Sequence, residues 1–167
     1  MHSTYKRRHR TAILAAALIA ACIAPAIASA ATTFTLDLNL ASVHTERWAR
    51  HDLNQRNLGL GATVHFTQDW SVSAGWYRNS YRRGSAYALV NWTPWHVSLP
   101  AGWSIAAGAT AGLDSGYRSS ELATQPLVAA GLLRVIAPAG WAVDLTAVPN
   151  APGGRTGFIG AQLSLPL

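Results

Sequence analysis

Apolar and polar residues alternate one by one through the middle of the chain. The clearest run has an apolar residue at every second position, namely Trp70, Val72, Ala74 and Trp76. A period of two places successive side chains on opposite faces of a β-strand. The positions between the apolar residues hold Ser, Gly and Tyr rather than charged residues. This pattern predicts a strand with one apolar face and one face of small or polar side chains.

The same alternation recurs along the chain and predicts eight strands. They cover 34–43, 58–66, 70–78, 85–92, 103–113, 126–136, 141–148 and 157–165. These lengths are close to the roughly nine to eleven residues that a tilted strand needs to cross the hydrocarbon of a bilayer. Most tryptophans lie at segment ends, as in the aromatic girdles of outer-membrane barrels. We therefore predict an all-β fold, an eight-stranded antiparallel up-and-down transmembrane β-barrel in the bacterial outer membrane.

The connections between these strands differ in length. Polar connections that hold most of the arginines follow every odd-numbered strand, at 44–57, 79–84, 114–125 and 149–156. The connections after strands two and six are short, and a Pro-rich turn at 94–102 follows strand four. Long outside loops and short periplasmic turns are typical of outer-membrane barrels. The alternative is a secreted lipocalin-like barrel, whose apolar face points inward.

The first thirty residues predict an export signal. A basic run is followed by an apolar stretch at 12–27 and by the small residues Ala28-Ser29-Ala30. We therefore expect a cleaved signal peptide at 1–30 and one barrel domain at 31–167. A retained transmembrane helix and lipoprotein processing at Cys22 are the alternatives.

Removal of this leader changes the composition of the mature chain. Cys22 is the only cysteine, so the mature chain would hold no disulfide and no thiol nucleophile. Four of the 13 Lys and Arg residues lie in the leader, so nine remain against 7 acidic residues. Nucleic-acid binding, which a strongly basic chain suggests, thereby loses its main support. We expect no metal and no cofactor.

The outside loops bring together residue types that suit acyl transfer. This chemistry needs a hydroxyl nucleophile, a base that takes its proton, and a group that orients the base. Ser80 is the candidate nucleophile, His44 is the candidate base, and Asn79 or Asp52 could orient the imidazole. The arginines of the same loops suit phosphate groups, and we assign substrate binding to Arg56, Arg78 and Arg82; others of this set are Arg47, Arg50, Arg83, Arg118 and Arg155.

Several short motifs occur in a characteristic order from His44 onward. They are Asn54-Gln55-Arg56, the Gly-rich Leu58-Gly59-Leu60-Gly61, Asn79-Ser80, Trp92, Ala109-Thr110-Ala111-Gly112, Pro126 and Thr146-Ala147-Val148-Pro149. In this order the chain resembles the lipid A palmitoyltransferase family, whose members are eight-stranded barrels of Gram-negative outer membranes. The resemblance implies transfer of an acyl chain from a phospholipid to lipid A, with His44 and Ser80 as the catalytic pair.

The resemblance also assigns roles to further residues. Asn79 stands where the family has an Asp. Pro126 and Pro149 correspond to prolines that flank strands six and seven, and because they remove ladder hydrogen bonds they imply a lateral opening for lipid. Asn91 stands where the family has a Gly at the lumen floor, so we expect a transferred chain shorter than palmitate. The amphipathic helix that precedes the barrel in the family has no counterpart here.

Three functions remain open at this point: a lipid A acyltransferase, a lipid A deacylase with the same Ser-His pair, and a non-catalytic barrel with a structural or lipopolysaccharide-binding role. Each predicts a membrane-embedded monomer that contacts phospholipid and lipopolysaccharide. The fold alone does not choose among them.

Overall fold

The computed structural model describes residues 32–121, 124–151 and 156–167. The expected signal peptide at 1–30, its cleavage site, the lipoprotein site at Cys22 and the loop residue Arg155 lie outside these ranges. Within them, no helix is both long and apolar enough to cross a bilayer.

The described residues form a closed barrel. Its strands are β1 (Thr33–His44), β2 (Arg56–His65), β3 (Trp70–Arg78), β4 (Gly84–Ser98), β5 (Ser104–Asp114), β6 (Leu127–Ile136), β7 (Ala142–Val148) and β8 (Phe158–Pro166), and one short helix, α1 (Arg47–Asp52), lies between β1 and β2. Each strand pairs antiparallel with the next, and β8 pairs with β1. The prediction of an all-β, eight-stranded antiparallel up-and-down barrel is confirmed.

The fourth strand corrects one prediction. The Pro-rich stretch 94–102 was expected to be a turn, but β4 continues through Pro94 to Ser98. The pairing of β4 with β5 shifts between Trp92 and Trp95, which marks a bulge at Pro94. A bulge tolerates proline because the extra residue needs no ladder hydrogen bond. The turn itself is a short 3-10 segment, Pro100–Gly102.

The most buried inward positions of the barrel are polar, and its outer face is apolar. Most fully or nearly fully buried side chains are polar, and the outward positions hold exposed large apolar residues, including Phe34, Leu58, Leu60, Trp70, Trp76, Trp92, Trp95, Leu113, Leu127 and Ile159. This arrangement agrees with the predicted direction of the alternation and is the reverse of a lipocalin-like barrel, in which the apolar face lines the interior.

A network of hydrogen bonds and one ion pair lines the end of the lumen opposite the long loops. The Asp37 carboxylate accepts hydrogen bonds from Thr63 (2.6 Å) and Ser164 (2.8 Å). Ser164 also lies 2.8 Å from Asp144, whose carboxylate forms an ion pair with Arg134 at 2.8 Å. Buried polar groups are costly unless they are paired, and these groups are paired with one another. We call this network the polar floor.

A bulge in β1 changes which side chains face the lumen. The register of β1 with both neighbouring strands shifts between Asn39 and Ala41. Before the shift the inward side chains include Asp37, and after it they include Ser42 and His44. Because one extra residue reverses the alternation, the bulge turns His44 into the lumen.

Glycine is required where β5 passes the bulge of β4. A Cβ atom on Gly108 would overlap the carbonyl oxygen of Trp92 and would lie 2.8 Å from Cα of Thr93. Both are backbone atoms, so no side-chain rotation relieves the overlap. Gly160 also faces the lumen, but a Cβ there would lie 3.7 Å from the Phe158 ring, an ordinary contact.

We predict that Gly108→Ala lowers the free energy of unfolding by roughly 1–3 kcal/mol, because overpacking displaces the backbone. Gly160→Ala is the matched control and leaves it nearly unchanged. Guanidinium unfolding of the two purified variants in the same detergent measures the difference. Equal midpoints for both variants would contradict the prediction.

Candidate functional site

A partly open cavity of about 280 Å³ occupies the loop end of the lumen. Its apolar wall includes Leu89, Val128, Ala130, Val148 and Phe158. Polar side chains line it nearer the strand ends; among them are His44, Asn57, Ser80, Asp114 and Glu121. The cavity thus combines an apolar interior with a polar mouth.

His44 ends β1 and is one of the most buried polar residues, with 2% of its surface exposed. Its ring packs against Phe158 at a centroid distance of 5.8 Å. Arg50 donates a hydrogen bond to the His44 carbonyl oxygen (2.9 Å), which fixes the backbone at this point. The side chain of Gln55 lies against the imidazole, and the buried Nδ1 atom has no hydrogen-bond partner within the described residues.

Ser80 reaches the same cavity from the loop between β3 and β4. It is buried, and its carbonyl oxygen accepts a hydrogen bond from the amide of Asn54 (2.8 Å). The next residue, Gln55, accepts a hydrogen bond at its carbonyl oxygen from the amide of Ser42 (2.9 Å). These contacts tie the Ser80 loop to the end of β1. His44 and Ser80 therefore share one cavity, although in the described residues no hydrogen bond joins their side chains.

Asn79 holds the Ser80 turn together. Its Oδ1 accepts hydrogen bonds from the amides of Tyr81 (2.9 Å) and Arg83 (3.0 Å). Its amide nitrogen donates to Ser85 Oγ (3.0 Å) and to the Gly116 carbonyl oxygen (3.1 Å). These four bonds use both hydrogens and both oxygen lone pairs of the side-chain amide. Asn79 therefore does not orient His44, as the sequence had suggested.

Asp52, the other residue considered for orienting the base, also lies elsewhere. Its carboxylate is exposed and is 2.7 Å from His51 Nδ1 in α1. The position beside the imidazole is taken by Gln55, which the sequence analysis did not single out. Its amide nitrogen donates to the Arg50 carbonyl oxygen (2.8 Å), so its amide oxygen remains for the His44 ring.

Three predicted phosphate-binding arginines lie at the same end of the barrel. Arg56 begins β2, Arg78 ends β3 and Arg82 follows in the next loop, and all three are exposed. Arg78 donates to the Arg82 carbonyl oxygen (3.3 Å), and Arg82 donates to the Asp52 carbonyl oxygen (3.3 Å). Across the described ranges, none of the three is paired with a carboxylate. We call these three residues the arginine rim.

Asn91 faces the lumen, as its parity predicted, but it lies beneath the cavity. Its amide donates to Ser71 (3.2 Å) and Ser73 (3.3 Å), and it pairs in register with Thr110, which does line the cavity. Asn91 therefore contributes to a polar layer under the cavity and is not one of its lining residues.

Pro126 and Pro149 lie at the loop ends of β6 and β7. Pro126 directly precedes β6, and Pro149 directly follows β7 and lines the cavity. Pairing of β6 with β7 begins only at Gly131 and Ala147, whereas β6 pairs with β5 up to Leu127. Within the described chain, the upper part of β6 thus has no partner on its β7 side.

A further cluster at the mouth was not identified from the sequence. Tyr77 donates to the Asp114 carboxylate (2.6 Å), and the Tyr77 and Tyr117 hydroxyl oxygens lie 3.1 Å apart. Burial raises the pKa of the Tyr117 hydroxyl to about 12, so it is protonated at neutral pH. The alternation of the strands alone predicts that Tyr77 and Asp114 point inward, because each directly follows an outward residue, Trp76 or Leu113. No motif marks them, however.

Comparison with protein-family models and with curated proteins gives no match. In the ranges that the structure covers, no group of three His, Cys, Asp or Glu side chains is arranged to hold a metal ion. The function is therefore argued from the cavity and its polar groups.

We predict that Asn79→Ala accelerates amide hydrogen exchange at Tyr81 and Arg83 by about fivefold, since each lost bond contributes roughly 1 kcal/mol. Ser80→Ala, which removes none of these bonds, is the control. Exchange measured by NMR on the folded variants tests this. Unchanged rates at both amides would show that Asn79 does not hold the turn.

Proposed function

We propose that this chain is an outer-membrane acyltransferase that moves an acyl chain from a phospholipid to lipid A. One observation carries the proposal: a histidine and a serine from distant parts of the chain line a single cavity whose interior is apolar. This combination supplies a base, a nucleophile and a place for an acyl chain.

The location in a membrane is supported by the inverted polarity of the barrel. A closed sheet satisfies every strand edge, which lipid cannot do, and an apolar outer face suits hydrocarbon. Exposed tryptophans such as Trp70 and Trp95 suit the membrane interface. The expected signal peptide at 1–30 supplies export.

In the proposed reaction His44 acts as the base. Its Nδ1 takes the proton of Ser80, and Ser80 Oγ attacks the ester carbonyl carbon of the phospholipid. The bond from this carbon to the glycerol oxygen breaks, and the leaving oxygen takes the proton from His44. In the second half a lipid A hydroxyl gives its proton to His44 and attacks the acyl-serine. The acyl chain is then on lipid A, and Ser80 recovers its proton.

Two features of the pair shape this mechanism. If Gln55 accepts a hydrogen bond from Nε2–H of His44, the lone pair lies on Nδ1, the atom without a partner. A neutral amide orients the ring but adds no charge to stabilise the imidazolium. The side chains of His44 and Ser80 share no hydrogen bond, so the Ser80 loop must move toward the ring, as catalytic hydrogen bonds commonly tighten with substrate.

The geometry supports a location for each part of the proposed lipid. The acyl chain lies in the apolar part of the cavity, and it enters through the unpaired stretch between β6 and β7 that Pro126 and Pro149 flank. Phosphates contact the arginine rim. The modest volume of about 280 Å³ and the polar layer at Asn91 favour a chain shorter than palmitate.

A second candidate is a non-catalytic barrel that binds lipopolysaccharide. The arginine rim favours it, because Arg56, Arg78 and Arg82 are exposed and unpaired with carboxylates throughout the described residues. Phosphate binding by such arginines requires no participation of Ser80.

Mass spectrometry of lipid A from cells that express the chain tests the enzyme. We expect an added acyl group, reduced at least about a hundredfold by Ser80→Ala or His44→Gln, because each removes a participant in proton transfer. Ser119→Ala and His51→Gln, both outside the cavity, are the matched controls and retain the product.

Each other outcome has a defined meaning. Loss of an acyl group that depends on Ser80 would replace transfer by deacylation. Unchanged lipid A, with a barrel that is folded by its heat-dependent gel shift and present in the outer membrane, would refute both enzymatic functions and leave the binding protein.

The arginine rim gives a separate prediction. The triple change of Arg56, Arg78 and Arg82 to Gln should weaken lipopolysaccharide binding at least about tenfold and flatten its dependence on salt, because charge-assisted hydrogen bonds to phosphate are lost. The matched triple change to Lys keeps the charge but loses the bidentate geometry. Its affinity for lipopolysaccharide should lie between those of the unchanged chain and of the Gln variant. Equal binding by all three proteins, measured at two salt concentrations, would exclude the rim as the binding surface.

A further inference from the structure

Four tyrosines and one aspartate line the mouth of the cavity. Tyr77, Tyr81, Tyr87 and Tyr117, named here the tyrosine cluster, all line the cavity together with Asp114. They come from β3, β4 and the loops that follow β3 and β5. The proposed reaction uses none of these residues.

Asp114 has an unused hydrogen-bond acceptor. Its Oδ2 accepts the proton of Tyr77 (2.6 Å), but its buried Oδ1 has no partner within the described residues. The hydroxyl of Ser85 lies against the Asp114 carboxylate and is shared with the Ser115 carbonyl oxygen, to which it donates in this structure. In the described ranges no Lys, Arg or His is paired with Asp114. An ionised carboxylate accepts several hydrogen bonds, so this one lacks a donor.

The neighbouring acid differs in this respect. Glu121 also lines the cavity, but it forms an ion pair with Arg83 and accepts a hydrogen bond from the Arg118 amide (2.8 Å). Burial raises the pKa of Glu121, but these contacts outweigh burial and lower it. Only Asp114 of these two acids therefore has capacity for a ligand.

The rings around Asp114 suit a cation. Tyr77 and Tyr87 lie 6.0 Å apart, and Tyr81 and Tyr117 meet edge to face at 6.1 Å. The faces of aromatic rings attract cations within about 6 Å of their centroids. The Tyr81 ring already holds a cation, since the guanidinium of Arg83 lies 5.2 Å from its centroid, which leaves Tyr77, Tyr87 and Tyr117 for a ligand.

We infer that Asp114, with Tyr77, Tyr87 and Tyr117 of the tyrosine cluster, binds the ammonium group of a phosphatidylethanolamine headgroup. This inference rests on the proposed phospholipid substrate and names its class. The free acceptor on Asp114 requires a donor, which the primary ammonium of ethanolamine supplies and the quaternary ammonium of choline does not. The glycerol headgroup of phosphatidylglycerol carries no positive charge and gains little from the rings.

The headgroup site also positions the reacting ester. Asp114 ends β5 and Ser80 lies in the loop after β3, both at the same end of the barrel. An ammonium group held at Asp114 keeps the glycerol of the lipid at the mouth, while its acyl chain occupies the apolar part of the cavity. The arginine rim lies outside the cavity lining, so it remains available for the phosphates of lipid A.

Binding of short-chain lipids tests the site without any reaction. The full chain is expressed, purified in a non-ionic detergent and titrated with dihexanoyl phosphatidylethanolamine, phosphatidylcholine or phosphatidylglycerol, with tryptophan fluorescence as the signal. We expect phosphatidylethanolamine to bind at least about tenfold more tightly than phosphatidylglycerol, with phosphatidylcholine between them. Equal affinity for the ethanolamine and glycerol lipids would overturn the inference.

Substitutions assign the preference to residues. Asp114→Asn should reduce the affinity for phosphatidylethanolamine at least several-fold, because the rings remain but the charged acceptor is lost, and should leave the affinity for phosphatidylglycerol unchanged. Asp52→Asn, the same change at an exposed site, should alter neither. A parallel loss for both lipids in Asp114→Asn would contradict a headgroup site.

A second pair of variants changes Tyr117. This residue lies in the loop after β5, so its substitution does not disturb strand packing. Tyr117→Phe keeps the ring and should keep most of the preference, whereas Tyr117→Leu should reduce it several-fold. Equal preferences in these two variants would exclude a cation–ring contact. O-phosphoethanolamine, which has no acyl chains, should bind more weakly than the lipid. Equal binding would show that a free headgroup, rather than a lipid, is the ligand.

The outcomes separate this inference from the proposed reaction. A preference for phosphatidylethanolamine together with unchanged lipid A would refute the transferase and retain the headgroup site. Modified lipid A without any headgroup preference would refute the headgroup site alone.

Discussion

β1 pairs with β8 from Thr35 and Pro166 to His44 and Phe158, and this pairing closes the sheet. An open sheet would leave two strand edges without partners, whereas a closed one satisfies the backbone internally. Once the backbone is satisfied, the outer face can be apolar and the inner face polar. The polar floor, the apolar-walled cavity and the exposed tryptophans all depend on that closure. The same seam carries the bulge that turns His44 inward, so closing the barrel and aiming the candidate base are properties of one strand.

The alternation in the sequence was sufficient to predict the strands and their outward faces. It worked because a residue such as Trp70 or Leu60 has only two directions available in a strand. It could not predict the bulge at Asn39 and Ala41, since an extra residue leaves no mark when both neighbours are apolar or small. The prediction of a turn at Pro94 was wrong for a related reason. Proline usually ends a strand, and only the pairing with β5 reveals that β4 continues past it.

The candidate site was predicted in part. His44 and Ser80 were predicted from their residue types and from their location at the predicted outside loops. In the structure both line one cavity. The hydrogen-bond partners of the residues next to them could not be predicted from the sequence, because side-chain hydrogen bonds depend on loop conformation. Asn79 holds its own turn through four bonds, and Gln55 takes the place beside the imidazole. Asp114 and Tyr77 had the correct parity, but only the register of distant strands brings the carboxylate to the tyrosines.

The polar floor has a consequence for permeation. Asp37, Ser164, Asp144 and Arg134 connect the neighbouring strands β1, β8, β7 and β6 at the end away from the long loops, and Arg134 also lies 3.4 Å from His65 of β2 on the opposite wall. An ion or water molecule that followed the barrel axis would have to break a buried ion pair whose separation is costly. The floor therefore opposes passage along the barrel axis at the end away from the long loops. Under the proposed function, a lipid in that cavity would exchange with the leaflet next to the long loops, and the floor would separate it from the opposite compartment.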